Sequence, residues 1–483
     1  MESIRKNAIL NVIRQICSVI FPLITFPYAV RILQPEGYGI FTFSSSVISY
    51  VALFAALGIS SYAVREGSGL RGDHASFSVF SNEVFTVNIF STLTAYALLI
   101  LAVLIWPKLQ PYKSVLFILS LSVLFTTLGT DWINVIFEDY AYTTVRYILC
   151  HILGIVLLFV LVRDRSDLLN YTFVSVIGTA CANAANIFYI RKKHGIKLKP
   201  VITPGVKKHI LPVLILFANT IATTIYINSD STILGILRGD YEVGIYGVAT
   251  QIYFIVKQII NAAILVIVPR ASAMIAANDI DTLNYLYKKT FGGVLVITVP
   301  CMVGLICLSP EIIMLISGSE YAASAVPLAI LSASLLFATS ACFYINGVLI
   351  PYKKERQVLI LTAFSALLNI ILNIILIPYY GCAAAASTTL LSELIMFAGG
   401  LLLSRSLIEI DIKRDIILSA VSGAAVLAVC LSVGLVTGNY ILKIVLSILF
   451  SAVIYLIILF RAKNNIVWDT AVSFYNRLKK NVH

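Results

Sequence analysis

Apolar runs long enough to cross a bilayer recur along the whole chain, separated by short polar connections. They lie at about 8–33, 39–63, 83–106, 114–137, 143–162, 168–190, 209–237 and 243–268, then at 290–317, 324–350, 358–378, 382–404, 415–437 and 440–460. One helical crossing takes about 20 apolar residues, so the pattern predicts an all-α, polytopic membrane protein with about 14 transmembrane helices. Helices follow rather than strands, because an open sheet edge leaves backbone polar groups unsatisfied in hydrocarbon. The stretch Met1 to Asn11 leads into an apolar run longer than a signal-peptide core and without a small-residue cleavage site, so it reads as the approach to a first span.

Composition sharpens this picture. The 483 residues are 59% hydrophobic and 12% charged, against about 25% charged in soluble domains. A mean hydropathy of +0.95 leaves no polar shell to cover a core, so the apolar excess faces lipid. A secreted enzyme, a nucleic-acid-binding protein and a single-pass receptor are excluded. The net charge of +12 is explained by placement. With the N-terminus put in the cytoplasm, 26 Lys and Arg fall in inside segments and seven in outside loops. Positive residues collect on the cytoplasmic side, so both termini are expected there. The basic block from Arg191 to Lys208 reads as part of that topology signal. The eight cysteines lie mostly inside apolar runs without Cys-x-x-Cys spacing, and the five histidines sit in no ligand spacing. Neither disulfide, metal nor cofactor is expected.

No Gly-x-x-x-x-Gly-Lys-[Ser/Thr] phosphate loop occurs, so ATP hydrolysis by that route is excluded. The outside connections are only a few residues long. A membrane glycan polymerase or ligase would place its catalytic groups in a sizeable outer loop, so no catalytic residue is assigned and the chain reads as a non-enzyme.

The chain also repeats. Ile32-Leu33 precedes Glu36-Gly37-Tyr38-Gly39, and Ile236-Leu237 precedes Glu242-Val243-Gly244; Arg65 follows Gly39 by 26 residues, as Arg270 follows Gly244. An offset of 205 lays spans 1–6 over spans 7–12 in parallel orientation. Parallel repeats are a transporter design, with substrate held between the halves. The expected domains are 1–200, 201–404, and 405–483 with the last two spans and a cytoplasmic tail.

Pro22, Pro27, Tyr28, Arg31, Leu33, Pro35, Glu36, Tyr38 and Gly39 form a pattern similar to the opening signature of bacterial Wzx-type polysaccharide flippases. Tyr62, Arg65 and Glu66, then Asp131-Trp132 with Phe137-Glu138, and Asp230, Leu234-Gly235, Val243-Gly244 and Tyr246 resemble the same family. The resemblance implies the MOP-superfamily fold, two six-helix lobes plus two appended helices. It also implies the carriage of an undecaprenyl-diphosphate-linked oligosaccharide from the inner to the outer leaflet of the bacterial cytoplasmic membrane. Its partners would be that substrate, membrane lipid, protons or sodium as coupling ion, and a polysaccharide polymerase; nucleic acid and ATP are not among them. A lipid II flippase and a multidrug or cation extruder share the fold and stay open as alternatives.

Charges inside spans are the candidate site, since a charge at mid-bilayer costs at least about 2.5–3.5 kcal/mol. Lys257 is the deepest, and Thr250 and Asn261 share its helical face at i−7 and i+4. Arg14 lies in the inner half of the first span, either in a cavity or reaching to the interface. Arg65 and Arg270, at the inner ends of spans 2 and 8, either meet phosphate or are ordinary positive-inside residues. Asn228 and Asp230 lie on span 7, with Arg31 and Arg238 as open ion-pair partners for the aspartate. Glu393 and Asp131 are the candidate coupling carboxylates; an interhelical hydrogen bond is an equal reading for Glu393. The stripe Thr362, Ser365, Asn369 and Asn373 reads as a sugar path or as helix–helix glue.

Overall fold

A computed structural model of the chain describes residues 2–462. The first half runs through α1 (Glu2–Ala56), α2 (Ile59–Gly67), α3 (His74–Ile105), α4 (Lys113–Gly129), α5 (Trp132–Ile136), α6 (Tyr140–Leu161), α7 (Leu168–His194) and α8 (Val206–Arg238). The second runs through α9 (Asp240–Leu265), α10 (Val268–Ala276), α11 (Ile280–Cys307), α12 (Ser309–Ile316), α13 (Ala325–Cys342), α14 (Glu355–Ser404), α15 (Lys413–Val436) and α16 (Tyr440–Arg461). A π-helical turn, Phe343–Leu349, continues α13. Among the described residues there is no strand.

Two helices are too long for one crossing. At 1.5 Å per residue, the 55 residues of α1 and the 50 of α14 far exceed a hydrocarbon core about 30 Å thick. Each is broken by one residue with positive φ, Gln34 at 59° and Gly381 at 55°, and folds back on itself. In α1 the rings of Phe26 and Tyr38 stand 5.9 Å apart across the break. In α14, Ser365 Oγ donates to the Ser392 carbonyl at 3.1 Å and Thr388 Oγ1 to Asn373 Oδ1 at 2.5 Å. With both hairpins resolved into arms, the crossings agree with the expected number of about 14.

Three expected spans are interrupted. The run 114–137 stops as α4 at Gly129, because Thr130 turns left-handed (φ 47°), and resumes as the short α5. The run 290–317 divides at Leu308, where Pro310 opens α12; proline suits the first turn of a helix because no partner awaits its missing N–H. The run 39–63 breaks at Leu57 and Gly58, both at positive φ, before α2. Ends elsewhere are set by caps: Asp73, Asp279 and Asn439 accept hydrogen bonds from the first amides of α3, α11 and α16.

The repeat is written into the backbone. Gln34 (φ 59°, ψ 175°) and Gly239 (φ 88°, ψ −175°) are 205 residues apart and hold nearly the same rare conformation, each just before a helical segment. The chain divides into two compact units, Met1–Gly244 and Ile245–His483. The boundary falls later than residue 200 because α8 packs against α1, α2 and α3. α8 bends by 43° between Val206–Ala218 and Thr220–Arg238. Tyr62, Phe77, Phe80, Trp132 and Ile133 centre the core of the first unit; Ile264, Tyr287, Phe291, Phe343 and Tyr344 centre that of the second. Outward faces carry exposed apolar residues such as Leu104, Ile105 and Leu435, as lipid contact requires.

Candidate functional site

In the second unit, α9 and the second arm of α14 bring two candidates together. Lys257 Nζ lies 2.5 Å from Glu393 Oε1, with the lysine side chain 18% exposed and the glutamate 6%. Tyr253, one turn earlier on the same face of α9, donates its hydroxyl to the same oxygen at 3.4 Å. Its ring stands 5.4 Å from the ammonium and that of Phe254 6.0 Å, distances at which a ring face stabilises a cation. The Cys342 thiol, at the start of the π-turn, lies within electrostatic reach of both charges. Each charge offsets the desolvation of the other, and removing one leaves an uncompensated ion in the membrane interior.

Sequence treats Lys257 and Glu393 as separate candidates with separate roles; the fold makes them one pair. Thr250 spends its hydroxyl proton on the carbonyls of Tyr246 and Gly247, both at 3.0 Å. Asn261, one turn after Lys257, keeps a buried Oδ1 with no hydrogen-bond partner. The polar stripe on the first arm of α14 joins its two arms through the Ser365–Ser392 and Thr388–Asn373 bonds; Ser365, Asn369 and Asn373 are buried, and within the arm Asn373 donates to Asn369 Oδ1 at 3.0 Å.

In the first unit the candidates do not converge on one point. Arg14 is exposed, its guanidinium 5.7 Å from the Tyr147 ring centre. Arg65 is exposed and pairs with its neighbour Glu66 at 2.9 Å. Asp131 accepts from Arg146 Nη2 at 2.6 Å and from Asn186 Nδ2 at 3.1 Å. It therefore holds a buried arginine whose Nε and Nη1 have no hydrogen-bond partner and whose guanidinium stands 5.4 Å from the Tyr142 ring centre. Asn228 donates to the Thr224 carbonyl at 2.9 Å. Asp230 is buried, and Arg31 is exposed. In the second unit Arg270, on α10, is exposed.

Sequence reasoning missed a buried hub in the first unit. Glu83 on α3 is 5% exposed and receives His209 Nε2 at 3.0 Å, Lys208 Nζ at 3.1 Å and Thr203 Oγ1 at 2.9 Å. Tyr62 on α2 bonds His209 Nδ1 at 2.6 Å. The segment before α8 is also laid along α3, with Lys199 N on Asn82 Oδ1 at 2.9 Å and Val201 N on Thr86 Oγ1 at 2.8 Å. The sequence placed Glu83 at the edge of an apolar run. The available signal was the helix-forming stretch from His74 onward, which makes Glu83 an interior carboxylate needing a partner.

Comparison with known proteins places this architecture. The model of the family "Polysaccharide biosynthesis protein" matches residues 4–275, and a MatE family model matches residues 215–375. The chain belongs to the polysaccharide biosynthesis protein family. A candidate O-antigen transporter of Escherichia coli (strain K12) is 24% identical over 400 residues, covering 81% of this chain and 94% of that protein. Among solved structures, the lipid II flippase MurJ in an inward closed conformation is similar at a TM-score of 0.73 and 21% identity, over 93% of this chain and 98% of that one. An inward-facing MATE-family multidrug resistance transporter is similar at 0.63 and 15% identity, over 79% and 94%. The chain is thus a multi-pass membrane protein with the flippase fold.

Proposed function

We propose that this protein carries an undecaprenyl-diphosphate-linked oligosaccharide repeat unit from the inner to the outer leaflet of the bacterial cytoplasmic membrane by alternating access, with both termini in the cytoplasm. The observation that carries the reading is a lysine ammonium held within a spanning helix of a chain from the polysaccharide biosynthesis family. A sugar hydroxyl taken bare into hydrocarbon costs roughly 4–8 kcal/mol, so such a head group needs a polar route while its polyprenyl tail stays in lipid. Lys257 anchors the diphosphate. Asn261, whose buried oxygen has no hydrogen-bond partner, receives a donor from the same head group in this reading. Thr250 and Arg270 are the further candidate binding residues of the second unit, and Arg14, Arg31, Arg65, Asn228 and Asp230 those of the first taken by itself; Glu393 and Asp131 are the candidate coupling carboxylates for protons or sodium. Outward movement of two negative charges down an inside-negative potential gains about 2.3 kcal/mol per charge per 100 mV, so the potential itself drives part of the cycle. A polysaccharide polymerase is the expected downstream partner.

The lipid II flippase reading is the nearest alternative, supported by the extent of the likeness to that fold. The deciding experiment is complementation. In a strain lacking this gene, the chain restores surface polysaccharide and clears lipid-linked oligosaccharide from the inner leaflet. Restoration of peptidoglycan precursor transport, with no effect on polysaccharide, would transfer the assignment to the alternative.

A further inference from the structure

Lys257 offers one ammonium, and in this structure a carboxylate of the protein already occupies it. Glu393 Oε1 neutralises it and takes one of its three N–H donors, at 2.5 Å. The groups facing the carboxylate are few among the described residues. From α9 come Lys257 and the Tyr253 hydroxyl; from the end of α13, the Cys342 thiol. Among the described residues, no second cation is paired with Glu393.

We propose that Lys257 exchanges partners: Glu393 neutralises it while the carrier is empty, the cargo diphosphate displaces Glu393 on binding, and the released carboxylate takes up a proton from solvent. This rests on the flippase reading above and adds a coupling mechanism to it. A diphosphate and a carboxylate around one ammonium would leave net negative charge in a low-dielectric site, where like charges repel strongly. Protonation removes that repulsion, because a neutral Glu393 carries an O–H bond and becomes a hydrogen-bond donor. The proton leaves Glu393 when the diphosphate departs and Lys257 returns. Loading and unloading thus carry one proton in opposite senses, and Lys257 keeps an anionic partner in both the empty and the loaded state. The lysine is the more exposed member of the pair and the glutamate the more enclosed, as an anchor reached by ligand and a carboxylate sealed behind it should be.

The test uses the full-length protein purified in detergent, with geranyl diphosphate as probe, titrated calorimetrically in buffers of different ionisation enthalpy. The wild type should take up about one more proton per bound probe than Glu393→Gln. Its affinity should fall by up to about tenfold per pH unit as pH rises, beyond any slope retained by Glu393→Gln. Difference infrared spectra of the wild type should gain a protonated-carboxyl C=O band on binding, a readout that needs no variant to fold. Absence of that band, or equal proton uptake in wild type and Glu393→Gln, overturns the exchange while leaving Lys257 as the anchor. Binding that survives Lys257→Gln undiminished overturns the anchor itself, and with it the reading on which the exchange rests.

Discussion

Gly39 and Gly244, 205 residues apart, meet where the second arm of α1 crosses the start of α9. A Cβ on Gly39 would overlap the Asp240 carbonyl, and one on Gly244 would overlap the Pro35 carbonyl. The exchange is reciprocal, since Pro35 and Asp240 are themselves 205 residues apart. Both glycines are thus fixed by close backbone approach, and the sequence repeat is here a physical contact.

Gly39→Ala and Gly244→Ala should therefore each force the two helices apart. Overpacking of this kind costs about 1–3 kcal/mol. Gly37→Ala is the control, because its Cβ would meet only the Leu33 Cβ at 3.4 Å. Detergent-solubilised thermal unfolding should show lowered midpoints for the first two variants and little change for the third. Equal midpoints for all three would mean that the crossing yields at no cost.

The Glu83 hub should act as a unit. His209→Ala and Tyr62→Phe each strip a buried partner, at about 1–3 kcal/mol. The double variant should cost less than the sum of the two, since the Tyr62 hydroxyl bonds the His209 ring directly. Additive losses in a thermal-unfolding double-mutant cycle would show that the hydrogen bond contributes nothing.

Asp131 separates a coupling role from a holding role. Asp131→Asn keeps an acceptor for Arg146, whereas Asp131→Ala leaves that guanidinium buried without its partner. If Asp131 couples ions, both variants should lose export at matched membrane levels. If export survives in Asp131→Asn and falls only in Asp131→Ala, the carboxylate serves the arginine alone.

Much of the fold was legible because hydrocarbon imposes a length and a composition on each crossing. The runs at 358–378 and 382–404 read as two spans although one residue, Gly381, joins them into a single hairpin. The breaks at Thr130 and Leu57 were not legible. Non-glycine residues, Thr130 and Leu57, take up left-handed turns there, and the single neighbouring glycines, Gly129 and Gly58, are too common in apolar runs to mark a break. The site was legible as a set of costly charges but not as pairs: Lys257 and Glu393 are 136 residues apart, and only the folding of α14 beside α9 joins them. His209 was passed over because a lone histidine has no spacing to read; its partners come from α2 and α3.

The charge asymmetry sets the sidedness expected of the chain. Lys192 and Gly438, both exposed and flanking opposite ends of the membrane region in that scheme, should label from opposite sides when each is the single cysteine in a Cys-less background. Labelling of both from outside would refute cytoplasmic termini.

The central claim is that a charge at position 257 carries a diphosphate-linked glycan across the membrane. The direct measurement is translocation of a fluorescent polyprenyl-diphosphate oligosaccharide in proteoliposomes under an imposed potential. The account expects transport by the wild type, a loss of about tenfold or more in Lys257→Ala, and partial retention in Lys257→Arg, where charge survives with altered donor geometry. Wild-type rates in Lys257→Ala would contradict it.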